Sequence, residues 1–155
     1  MEKMPRIEVQ VDPRFRDVVD DEMLVKAAAE TLESEGVEDA ELTIVVTDDE
    51  RVRELNREYR GVDEPTDVLS FQTYGDDEFV ESPEAESYLG DVVIAYPFTA
   101  AQAMESGRSV KHDLALMVVH GVLHLLGYDH SSPEEEKVMW DKQNSILERL
   151  TLDEE

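Results

Sequence analysis

Cysteine is absent from the 155-residue chain. That excludes disulfides, thiolate metal sites and cysteine nucleophiles together, and it fits a reducing compartment. Basic residues are scarce: 14 Lys and Arg stand against 39 Asp and Glu, for a formal net charge of −25. Such a surface argues against generic binding to polyanions. A nucleic-acid partner would need a local basic patch, a metal or a protein intermediary. Long uncharged hydrophobic runs are also missing. The most apolar stretch, Leu114 to Tyr128, is shorter than the ~20 residues a membrane span needs, and two histidines interrupt it. The N-terminus carries Glu2, Lys3, Arg6 and Glu8 without an apolar core, so no export signal is expected. These absences predict a soluble, cytoplasmic protein with no membrane partner.

What is present suits a globular protein. Apolar residues make up 41 %, enough to rule out disorder of the whole chain. The length predicts a single domain over residues 1–155. Ile7, Val9 and Val11 alternate with charged and polar residues as in a half-buried strand. A helix is expected over Asp21–Glu35, stopped by Gly36. Leu42–Thr47 is a β-branched run typical of a central strand. Asp48 can cap a helix over Asp49–Tyr59. Pro65-Thr66 breaks the chain before a third strand at Asp67–Thr73. Gly75–Ser87 carries six acids and no base and reads as an acidic loop outside any cleft wall. Gly90–Tyr96 is the fourth strand, and a short helix runs from Pro97 to near Gly107. Ser109 can cap Val110–Leu126, apolar nearly all round and therefore central, with Gly127 as its stop. Ser132-Pro133-Glu134-Glu135 is a capping box that opens a last helix reaching about Leu150. The opening β-α-β-α-β order favours parallel neighbours. The third and fourth strands, joined without a helix, are expected to be antiparallel.

Three of the four histidines lie in the stretch HGVLHLLGYDH. His120 and His124, four apart on a helix, project from one face. Gly127 ends the helix and can take a positive φ, which lets His130 turn back toward the same point. A lone histidine on so apolar a helix is read as a core residue. Three at these spacings, with a glycine at the turn, are read as a metal set. Three imidazoles suit zinc best, with nickel and copper as alternatives, and leave a fourth position open for water, as in catalytic sites. His112, two turns earlier, is expected to be structural. The H-x-x-x-H-x-x-G-x-x-H spacing is that of metzincin peptidases, which place a glutamate after the first histidine as general base. Here that residue is Gly121, and Met139, inside the last helix, makes no Met-turn. The ligand spacing of a peptidase is present without its base.

HGVLHLLGYDH resembles the signature of the YbeY family of endoribonucleases, also called rRNA maturation factors. NREYRGVDEPTDVLSF (Asn56–Phe71) and LGDVVI (Leu89–Ile94) resemble the same family, in the same order. The resemblance implies an α+β, zincin-like fold; the elements themselves give a small four-stranded mixed sheet, mostly parallel with one antiparallel strand, about five helices around it, and a central metal-binding helix. It implies one Zn2+ per chain on His120, His124 and His130. It further implies metal-dependent cleavage of single-stranded RNA, with rRNA precursors, the small ribosomal subunit and assembly proteins as partners, and no DNA.

Arg53, Arg57 and Arg60 fall at i, i+4 and i+7 on one helix face. Arg51, Arg53 and Arg57 are expected to pair with Asp49, Glu50, Glu54 and Glu58 of their own helix. Arg60 stands where the helix stops at Gly61, and it matches the arginine essential in the family. Near a metal its guanidinium can hold a phosphate and offset developing charge; otherwise it would pair with Asp63 or Glu64. Asp67 and Ser70 are cleft-lining candidates with turn and strand roles. Asp129 either orients a histidine, or faces solvent or caps the turn. The competing functional reading is a ribosome-assembly binding factor with a chiefly structural metal.

Overall fold

A computed structural model describes residues 5–72, 88–129 and 131–150. Among these, four strands and five α-helices follow one another. β1 (Arg6–Val11), a 3-10 turn (Pro13–Phe15) and α1 (Asp21–Ser34) lead to β2 (Glu41–Thr47) and α2 (Asp49–Arg60). β3 (Val68–Gln72), β4 (Tyr88–Ala95), α3 (Tyr96–Ser106), α4 (Val110–Leu125) and α5 (Pro133–Leu150) complete the order. The helix starts are set by side chains. Asp20, Asp48 and Ser109 accept from first-turn backbone N–H groups of α1, α2 and α4. Ser132 Oγ accepts from Glu135 N at 3.2 Å, as a capping box requires. α3 has no cap of its own; Asp49 of α2 supplies it, accepting from Phe98 N at 3.0 Å.

The sheet order is β1-β2-β4-β3. β1 runs parallel to β2, β2 parallel to β4, and β3 antiparallel to β4. The mixed sheet is the expected one, but β4 rather than β3 lies beside β2. Burial explains the order. Val92, Val93, Ile94 and Ala95 of β4 are all buried, as a strand covered on both faces requires, whereas β3 buries Leu69 alone and suits an edge. At Gly90 φ is +142°, and a Cβ there would stand 2.0 Å from the Phe71 carbonyl oxygen, so this β3–β4 pairing admits only glycine.

The larger core fills the space between the sheet and α1, α4 and α5, around Leu24, Leu32, Leu42, Ile44, Ile94, Leu123 and Ile146. Each such side chain contributes about 1.5–3 kcal/mol by leaving water. On the other face α2 covers a smaller cluster of Val52, Leu69, Val93 and Ala95. α4 is buried along most of its length, as its composition predicts. It packs tightly on the sheet at Gly121, where a Cβ would meet Val92 Cγ1 at 2.6 Å.

Candidate metal centre and cleft

The last two turns of α4 carry His120 and His124, both half-buried, with ring centroids 4.7 Å apart and planes at 74°. The i, i+4 spacing therefore brings two imidazoles together. Nδ1 of His120 lies 2.5 Å from Gln143 Oε1 on α5, and the Trp140 ring stands edge-on to it at 5.7 Å. α4 ends in a tight turn. Gly127 takes φ +107°, its N–H donates to His124 O, and Tyr128 N donates to Leu123 O, both at 3.0 Å. The Tyr128 hydroxyl donates to Glu35 Oε1 at 2.5 Å, and Lys142 Nζ lies 3.2 Å from Glu35 Oε2. That carboxylate, and then burial, push the Tyr128 hydroxyl pKa up. The turn after His124 is thus tied to both α1 and α5. His130, the third expected ligand, lies outside the described residues, as does the acidic segment from Asp76 to Glu86.

A cleft of about 600 Å³ opens over these histidines. Arg60, Asp67, Ser70, His120, His124 and Asp129, all singled out from the sequence, line it. Arg60 is the last residue of α2, and Gly61 at φ +72° ends the helix. The buried Asn56 donates to Glu64 O at 2.9 Å and fixes the loop beyond. Arg60 then turns to the sheet edge, donating from an Nη to the Ser70 backbone oxygen at 3.1 Å. Among the described residues no carboxylate is ion-paired with it, because Asp63 is taken by Arg53 at 2.7 Å and Arg57 at 3.9 Å. This corrects the expectation that Arg53 and Arg57 pair within their own helix. Arg51 does so, with Glu54 at 3.3 Å.

Asp67 has a wall role: its carbonyl accepts from Ala95 N at 2.9 Å, and Oδ2 from Gln102 Nε2 at 3.4 Å. Asp129 is exposed at the rim. His112 stays at the start of α4, its Nδ1 3.1 Å from Asp113 Oδ1, and does not line the cleft. Two residues were missed. Gln72 donates from Nε2 to the His124 and Leu125 carbonyls at 3.3 and 3.2 Å, joining the sheet edge to the end of α4. Nothing in the five-residue edge strand VLSFQ marks it. Gln143 had a signal: it is the polar member of the buried stripe Met139, Gln143, Ile146 and Leu150. Position 121, where a peptidase carries its base, faces β4 so closely that any side chain there must displace Val92.

The donor set fits a borderline cation such as zinc. An amide oxygen on Nδ1 of His120 leaves Nε2 as the nitrogen with a lone pair, and His124 stands one turn away on the same face. Among the described residues no further His, Cys, Asp or Glu completes a group of three ligands.

A family model described as "Endoribonuclease YbeY" matches residues 8–151. Proteins called "Endoribonuclease YbeY" are similar over most of their length. The one from Roseiflexus castenholzii is 47 % identical over 151 residues, covering 96 % of this chain and 95 % of the relative. That from Pelotomaculum thermopropionicum is 49 % identical over 131 residues, covering 84 % and 86 %. Among solved structures, the solution structure of TM1509 from Thermotoga maritima superposes with a TM-score of 0.62 at 25 % identity, covering 95 % of this chain and 89 % of that one.

Proposed function

We propose that this chain, which belongs to the endoribonuclease YbeY family, is a zinc-dependent endoribonuclease that cuts single-stranded RNA. Its zinc ligands are His120, His124 and His130, and Arg60 is the catalytic residue that holds the scissile phosphate. The relatives' names support the endoribonuclease class. The observation that carries the finer reading is the meeting of Arg60 with His120 and His124 in one cleft. Arg60 is anchored through a neutral carbonyl, so its charge is not cancelled by a carboxylate. A guanidinium held in that way can fork onto two phosphate oxygens and stays charged at any physiological pH.

A zinc ion on the histidines would supply a Lewis acid that polarises a phosphate oxygen. The chain's own residues do the rest. Arg60 binds the phosphate and offsets the charge that grows in the transition state. Gln72 holds the sheet edge against the end of α4 and so sets the spacing across the cleft. The net charge of −25 repels RNA elsewhere and confines productive contact to this cleft. The substrates are rRNA precursors, met in the cytoplasm together with the small ribosomal subunit and assembly proteins.

The test is cleavage of a single-stranded RNA by the purified protein, with zinc content measured in the same preparation, before and after chelation. Stoichiometric zinc, cleavage lost on chelation and cleavage restored by zinc are expected. Undiminished cleavage by the metal-free protein would overturn the zinc reading. Full zinc without cleavage would favour the assembly-factor reading.

A further inference from the structure

Gln143 occupies a position where an apolar residue would be expected. Its neighbours in the α5 stripe, Met139, Ile146 and Leu150, are buried in the main core, and Gln143 itself is 6 % exposed. A buried amide is costly unless its polar atoms are bonded, and Oε1 meets Nδ1 of His120 at 2.5 Å. An amide oxygen accepts and cannot donate. The bond therefore requires the proton of a neutral His120 on Nδ1, which leaves the lone pair on Nε2.

We infer that Gln143 is a positioning residue for the metal centre: it holds His120 in the Nδ1–H tautomer and fixes the plane of its ring. The inference rests on the reading of His120 as a zinc ligand. The ring has little freedom, with His124 at 4.7 Å and Trp140 at 5.7 Å, both nearly perpendicular to it. The amide suits the role for a second reason. It supplies an acceptor without a charge, so it orients the imidazole without adding a carboxylate to a site already flanked by Asp67 and Asp129. A buried glutamine serving the helix pair alone would place no demand on which imidazole nitrogen carries the proton.

The experiment has two readouts. Nitrogen-15 NMR of the zinc-free full-length protein assigns the His120 tautomer, and a zinc titration gives the dissociation constant. The wild type is expected to show Nδ1–H. Gln143→Met, similar in volume but without the acceptor, is expected to lose that bias and to bind zinc 10- to 100-fold more weakly. Gln143→Glu restores an acceptor, and Nδ1–H with most of the zinc affinity should return. An Nε2–H tautomer in the wild type, or a folded Gln143→Met with wild-type tautomer and affinity, overturns the inference. The wild-type tautomer needs no variant to fold. If the wild type takes up no stoichiometric zinc, the zinc reading fails while the tautomer still decides the role of Gln143.

Discussion

Arg53 and Arg60 sit two turns apart on the same face of α2, yet they have different surroundings. Arg53 is bound to Asp63 at 2.7 Å, and that pair holds the carboxyl below its usual range. Arg60 donates to a backbone carbonyl and faces the cleft. Arg108 is a third case: its guanidinium forks onto Asp113, whose side chain is 1 % exposed, at 2.7 and 3.0 Å. All three carry the same charge. What differs is the acceptor. A carboxylate partner makes an arginine part of the scaffold, and a neutral carbonyl leaves its field available to an anion that arrives from solution.

Substitutions should separate these roles, and the largest effect is expected at Arg60. Arg60→Ala should lower single-stranded RNA cleavage on the order of 10²–10³-fold, with zinc content and melting temperature unchanged. Arg108→Ala should do the reverse. Removing a charged donor from a buried carboxylate costs about 1.5–3 kcal/mol, toward the lower end here because the Arg108 side chain is 43 % exposed and partly screened. Thermal melting would read this as a drop of roughly 3–10 °C, with cleavage at low temperature unaffected. The effect also has a pH signature. Burial raises the Asp113 pKa, but hydrogen bonds from Arg108 and then His112 outweigh it and leave it below the ordinary value. The stabilisation is therefore complete above about pH 4, the unfolded value, and is lost as pH falls through the folded one. Melting curves of wild type and Arg108→Ala should converge in acid; a gap that widened there would sink this account.

Gly61→Ala tests the stop that separates Arg60 from its neighbours. A Cβ at Gly61 meets nothing within 4 Å, so the cost comes from the backbone at φ +72° alone, about 1–2 kcal/mol. A small fall in melting temperature with a larger fall in cleavage is expected. Arg53→Ala should be nearly silent in both assays, because its pair with Asp63 is open to solvent. A cleavage defect at Arg53 as deep as at Arg60 would erase the contrast.

Much of this arrangement is legible without coordinates, and the legible part is local. Asp48, Ser109 and Ser132 announce helix starts, because caps act within one turn. His120 and His124 meet because helical spacing alone decides it. What stayed hidden depends on residues distant in the chain. The place of β4 between β2 and β3 follows from burial on both of its faces. The capture of Arg53 by Asp63 depends on how the chain folds back after Gly61. Gln72 reaches carbonyls more than fifty residues away, and no spacing rule reports that.

The chain has a single tryptophan, and Trp140 stands with its ring against that of His120. The indole is thus a chromophore already installed at the centre of interest. Its emission needs no label and, when excited beyond the absorption of the five tyrosines, has no second source to subtract. Occupation of the histidines by a closed-shell ion, or by a quenching one such as copper, should register as a change in intensity or lifetime at one known location. Stopped-flow mixing could then follow the arrival of the ion in real time, separately from any turnover of RNA.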